Sequence, residues 1–112
     1  MGKKYLRKNE FRYDINPEHF GRSNRAHPTW ITAKYKHMYK ANSITHARKT
    51  TDGLDTKYIG ENPDKLSKDK RPTRVSPPFW QNIKQFSDEK LTNFKFSRES
   101  QRKISKFNRK FK

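Results

Sequence analysis

Between Trp30 and Thr45, β-branched and aromatic side chains alternate with Thr, Lys, Asn and Ser, the period-two pattern of a half-buried strand pair. Ile31, Ala33 and Tyr35 are expected to share one face of the first strand, and Met38, Lys40, Asn42 and Ile44 one face of the second. Lys36-His37 is the place for the reversal. Neither residue is the Gly or Asn that a tight type I′ turn favours, so one long bent strand is the rival reading.

A strand pair needs a covering layer, and the chain has limited material for one. Its 112 residues allow one small domain, and only 29% are hydrophobic, against roughly 45 to 50% in ordinary globular domains. Eight Phe, five Tyr and two Trp supply large apolar areas from few positions. The expected architecture is α+β: a small single domain over residues 27–112, with a short antiparallel sheet and one or two helices. Residues 1–26 read as a flexible basic arm, because Tyr5, Phe11, Tyr13 and Phe20 follow no period of 2 or 3.6.

Downstream, Asp52-Gly53, Gly60, Asn62-Pro63 and Arg71-Pro72 mark a long excursion with short pieces of structure. Val75 to Pro78 must be extended, as an edge strand or a polyproline segment, since proline fixes φ and disfavours helix at the residue before it. Phe79, Trp80, Ile83 and Phe86 then recur at near-helical spacing, which predicts a short helix started by Pro78, and Asp88-Glu89 opens a second turn. Phe94-Lys-Phe96 alternates like a last short strand. Ser97 is placed to cap a helix carrying Glu99 in its first turn and a stripe of Ile104, Phe107 and Phe111. Arg102, Lys103, Lys106, Arg109 and Lys110 cover its other faces.

The charge narrows the partner. With 28 Lys and Arg against 11 Asp and Glu, the chain carries +17, which opposes compaction unless a polyanion neutralises it. Seven of the cations and no carboxylate lie between Gly21 and Thr51, around the strand pair. Lysine and arginine gain affinity for nucleic acid by releasing condensed counterions, and exposed rings stack on unpaired bases at roughly 1 to 3 kcal/mol per base. Trp30, Lys34, Tyr35, Lys36, Tyr39 and Lys40 supply both kinds of group, although the competing reading makes the rings core and the lysines a solvated surface. Candidate contacts are Arg22, Arg25, Trp30, Lys34, Lys36, Lys40, Arg48 and Lys49, with Arg71, Arg74, Arg102, Lys106 and Arg109 as further phosphate ligands.

Catalytic constellations are sparse. His27 and His46 stand at the two open ends of the expected hairpin, with Arg48 close behind, and two imidazoles with a cation are what metal-free RNA cleavage needs. The sequence holds no cysteine, no H-x-x-x-H or H-E-x-x-H spacing, no Gly-rich phosphate loop and no nucleophile elbow, so no metal and no cofactor are expected. No apolar run approaches the roughly 20 residues that span a bilayer, and a cytoplasmic protein is the default expectation.

The succession of His27-Pro28, a strand pair ending Ile44-Thr45-His46, Asn62-Pro63, a basic Pro-containing segment and a basic C-terminal helix resembles small basic proteins of bacterial mobile elements and phages. The resemblance covers the last three quarters of the chain and implies no particular activity. In shape and charge the chain is also similar to the compact sheet-and-helix endoribonucleases of toxin systems, where a basic sheet face holds RNA. The leading expectation is therefore nucleic-acid binding, RNA or DNA, through backbone phosphates with aromatic stacking. A metal-independent endoribonuclease and a structural component of a ribonucleoprotein or phage particle are the alternatives.

Overall fold

The alternating stretch folds as a hairpin of two nine-residue strands, β2 (His27–Tyr35) and β3 (Met38–His46), reversing at Lys36-His37. We describe it from a computed structural model that covers residues 6–20, 26–46, 56–68 and 71–111. Lys36 sits at φ 55°, a left-handed conformation that glycine adopts without strain and lysine does not. Among the described residues the remaining strands are β1 (Phe11–Asp14), β4 (Lys57–Tyr58), β5 (Thr73–Val75) and β6 (Phe79–Asn82), and one α-helix, α1 (Arg98–Asn108), closes the domain. All six strands form one antiparallel sheet in the order β1-β2-β3-β5-β4, with β6 also paired to β3. A radius of gyration of 13.4 Å is that of one compact α+β domain of this length.

Strand β3 organises the sheet. One edge pairs with β2, while the other pairs with β6 from Met38 to Ala41 and with β5 from Ile44 to His46. A bulge at Thr32 resets the alternation of β2, so Ile31 and Ala33 oppose Ala41 and Lys40 and fall on opposite faces. The expected common face of Ile31, Ala33 and Tyr35 is thereby corrected, whereas Met38, Lys40, Asn42 and Ile44 do share one face. That face carries the larger core, in which Phe11, Trp30, Ile44, Val75 and Phe96 pack beneath Ile104 and Phe107 of α1. The opposite face holds Leu6, Ile31, Tyr39, Ala41 and Phe86. Edge-to-face contacts of Trp30 on Phe96 at 5.8 Å and of Tyr39 on Phe86 at 6.4 Å show how rings give a weakly hydrophobic chain two cores.

The reading of residues 1–26 as a flexible arm fails over the described residues 6–20. Strand β1 pairs with β2 from Phe11↔Trp30 to Asp14↔His27, Phe11 enters the larger core, and the Leu6 amide donates to the Tyr39 hydroxyl at 3.4 Å. The pattern is hidden because β1 buries Arg12 and Asp14 alongside Phe11. Arg12 donates to the carbonyls of Ser87, at 3.0 Å, and Asp88, and Asp14 accepts from Gln81 at 3.0 Å. Hydrogen-bonded charges thus occupy positions where a sequence pattern shows polarity.

Phe79, Trp80, Ile83 and Phe86 do not form a helix. The free edge of β3 takes Phe79–Asn82 into the ladder, and only a single 3-10 turn, Ile83–Gln85, follows, capped by Asn82 accepting from the Lys84 amide at 2.9 Å. Phe94-Lys-Phe96 reduces to an isolated bridge between Phe94 and Asp64. Of the segment Val75 to Pro78, expected as an edge strand or a polyproline stretch, only Val75 is in a strand: it ends β5, which lies inside the sheet between β3 and β4.

Helix α1 follows the expected stripe and cap, with Ser97 Oγ accepting from the Ser100 amide at 3.2 Å. Two further anchors were not visible in the sequence. Asn42 of β3 and Asn108 of α1 exchange two buried amide hydrogen bonds of 2.8 Å each, and Asn42 also donates to the Ser76 carbonyl at 2.9 Å. At the other end, Glu61 accepts from the Ser97 amide at 2.9 Å and the Ser100 hydroxyl at 2.6 Å, and pairs with Lys65 at 3.0 Å. Burial opposes ionisation of Glu61, but the hydrogen bonds from Ser100, Ser97 and Lys65 outweigh it and lower its pKa from 4.5 to about 2. Among the described residues, no helix is long and apolar enough to cross a membrane.

Candidate nucleic-acid interface

The face of the sheet that carries the larger core is only partly covered. Helix α1 lies over the end bearing Trp30, Asn42 and Ile44, and the hairpin tip extends beyond it. Cross-strand pairing sets Tyr35 beside Met38 and Asn82, and Ala33 beside Lys40 and Trp80, all on this face. Tyr35 is 65% exposed, Met38 36% and Trp80 45%. Lys40 stands between Ala33 and Trp80, and the Lys36 ammonium lies 5.5 Å from the centre of the Tyr35 ring. Large rings left open to water between lysines are the arrangement that stacks unpaired bases and holds their phosphates.

A second basic surface lies on α1. Arg98, Arg102, Lys106 and Arg109 follow one another at spacings of four, four and three residues and so form one column along the helix. With Lys8 and Asn9 from the N-terminal segment, Gln101, Ser105 and the edge of Trp30, they line a cleft of about 560 Å³. No carboxylate belongs to this lining among the described residues.

Of the residues expected to bind, Trp30, Arg102, Lys106 and Arg109 are brought together in the cleft, and Lys36 and Lys40 at the tip. Trp30 is not a stacking ring, since it is 2% exposed and packed in the core. Tyr39 is likewise core. Lys34 opposes Tyr39 and lies 5.9 Å from the centre of that ring, on the other face from Lys40. Arg74 leans on Tyr58 and donates to Thr56 Oγ1 at 3.1 Å, a structural engagement, and Arg71 is exposed at the approach to β5. Arg22, Arg25, Arg48 and Lys49 lie outside the described residues.

Sequence reasoning missed Trp80, Arg98 and Lys8 as members of these surfaces. Trp80 was absorbed into a helix that does not form, and Lys8 into an arm. The spacing of Arg98 with Arg102, Lys106 and Arg109 was the available signal for the column.

The imidazoles do not assemble as RNA cleavage requires. His27 falls on the face of Thr29 and Ile31, and His46 on the opposite face with Asn42 and Ile44. His19, unremarkable in the sequence, instead pairs through Nδ1 with the buried Asp14 carboxylate at 2.7 Å and packs its ring edge-on to Phe79. Asp14 is engaged by Gln81 and the Asn16 amide as well, so this pair reads as part of the packing between β1 and β6. No protein-family model matches the chain, and a comparison with curated proteins gives no match either.

Proposed function

We propose that this protein binds nucleic acid, RNA or DNA, through backbone phosphates, with Tyr35 and Trp80 stacking on unpaired bases. The observation that carries the reading is the open half of the sheet face, where two rings stand exposed on either side of Met38 and Lys40. A monomeric domain gains nothing in stability from leaving a Trp and a Tyr in water beside lysines, whereas a single strand offers both base faces and phosphates to such a surface. The charge of +17 supplies the long-range attraction. The cytoplasm is where such a ligand would be met, and the same surface would serve a component of a ribonucleoprotein or phage particle. The toxin-type ribonuclease reading has less support, because it needs His27 and His46 on one face.

The test is binding of a labelled single-stranded RNA and its DNA counterpart across a salt series in EDTA, each sample also run on a denaturing gel. Log affinity is expected to fall linearly with log salt, the slope giving the number of phosphates contacted, with the strand intact. Absence of binding at low salt would overturn the proposal. Shortened RNA would restore the enzyme reading.

A further inference from the structure

The column on α1 is a liability for the helix that bears it. Cations at i and i+4 repel, and Arg98, Arg102 and Lys106 stack two such pairs before Arg109 adds a fourth charge. The chain can relieve repulsion of this kind, since on a neighbouring face Glu99 meets Lys103 at 3.7 Å. Along the cleft, among the described residues, it does not. Even Glu10, next in sequence to Asn9, turns its carboxylate to Arg12, at 3.4 Å, and to the Arg7 amide.

An independent observation lies in the wall. Trp30 lines the cleft, and its buried indole Nε1–H has no hydrogen-bond partner among the described residues. A buried donor without an acceptor is costly, and buried polar groups in folded proteins are rarely left so. The cleft thus sets five cations beside a residue with an unmet donor, and its described lining offers no carboxylate.

From this we infer that the α1 cleft is a binding site for a phosphomonoester, the terminal phosphate of a nucleic-acid strand or of a mononucleotide. A phosphomonoester carries about −1.5 to −2 at neutral pH on three acceptor oxygens, about one and a half to two times the charge of an internal phosphodiester, and so answers a cleft lined by five cations better. Guanidinium groups hold such oxygens in pairs, and three of the five cations are arginine. The volume of about 560 Å³ lies in the range of small-ligand pockets and accommodates a nucleotide as well as its phosphate. Trp30 and Trp80 occupy one face of the sheet, so a strand with bases on the open half of that face lies on the side where its end meets the cleft. In its strand-end form the inference rests on the proposed function; in its mononucleotide form it does not.

Two measurements on the full chain test it. The first compares single-stranded 10-mers that bear a phosphate or a hydroxyl at one end, each labelled at the other, for both the 5′ and the 3′ end. One phosphorylated form is expected to bind about 10-fold tighter, equivalent to about 1.4 kcal/mol, and Arg102→Gln with Lys106→Gln should bring the phosphorylated and hydroxyl forms to equal affinity, whatever general weakening the loss of two cations causes. The second follows the Trp30 indole proton by NMR, assigned with Trp80→Phe, as a nucleoside monophosphate is added. The expected result is a saturable shift that the corresponding nucleoside does not produce.

If neither 10-mer binds but the Trp30 proton shifts with the monophosphate, the pocket stands with a mononucleotide as its ligand, and the nucleic-acid reading fails. Equal binding of phosphorylated and hydroxyl strands with no movement of the Trp30 proton overturns the inference and leaves that reading intact. Silence in both measurements overturns both.

Discussion

Trp30 and Trp80 lie on one face of one sheet and have opposite fates. Trp30, opposite Asn42, is covered by α1 and 2% exposed; Trp80, opposite Lys40, lies beyond the helix and is 45% exposed. Nothing in the two side chains distinguishes them. What differs is the extent of the covering layer, and α1 covers the end of the sheet that its own anchors reach, Asn108 on Asn42 and Ile104 and Phe107 over Ile44 and Val75. A tryptophan becomes core or surface according to where a helix some 70 residues later comes down.

The comparison is broken most severely at Trp30. Trp30→Ala removes a ring packed on Phe96 and is expected to cost about 3 to 5 kcal/mol, a large share of the stability of a small domain. Trp80→Ala should stay within about 0.5 kcal/mol of the parent in urea denaturation. Similar losses for both would mean that the two halves of the face are equally structural.

Next comes the amide pair that fixes where α1 lands. Asn108→Ala leaves the Asn42 amide without its partner in a buried site and is expected to cost about 1 to 3 kcal/mol. The double variant with Asn42→Ala should lose less than the sum of the singles, since each single substitution already breaks both 2.8 Å bonds. Additive losses would show that the two side chains act independently.

The contrast between the tryptophans also shows where the sequence stops being informative. The hairpin, its reversal at Lys36-His37, the Ser97 cap and the Ile104-Phe107-Phe111 stripe all follow from local spacing, and local spacing is what sequence records. Strand β1 was illegible because Arg12 and Asp14 are buried with partners 67 or more residues away. Strand β6 was misread because Phe79 and Trp80, the first two of four residues at helical spacing, pair along an open sheet edge instead. For the site, the kind of surface was legible and its members only in part. Trp30 and Tyr39 had the right composition for stacking, but exposure is decided by packing that no local pattern encodes.

Binding should reverse the order of the tryptophans. Trp80→Ala and Tyr35→Ala are each expected to weaken binding of a single strand by roughly 1 to 3 kcal/mol, about 5- to 150-fold, while binding to a duplex, whose bases are already stacked, changes little. Charge reversal sharpens the point: Lys40→Glu on the open face should weaken binding more than Lys34→Glu on the other face. Anisotropy titrations with matched single-stranded and duplex ligands decide both. Equal loss for the two forms would place the contact on phosphates alone.

The smallest effect concerns the other end of α1, where Glu61 holds the first turn. Its folded pKa of about 2 lies below the ordinary 4.5, so the fold favours the ionised form. The stabilisation is therefore fully present above about pH 4.5 and is lost as pH falls toward 2. Because Glu61 is partly exposed, solvent screening reduces its contribution to the order of 1 kcal/mol. Glu61→Gln should lower stability by about that amount at pH 7, and the gap between variant and parent should close between about pH 4.5 and 2. A gap that persists at pH 2 would show that Glu61 acts through the shape of its side chain and not its charge. Since α1 shelters Trp30 and leaves Trp80 open, loosening its first turn should raise hydrogen exchange at the Trp30 indole before that of any other core group.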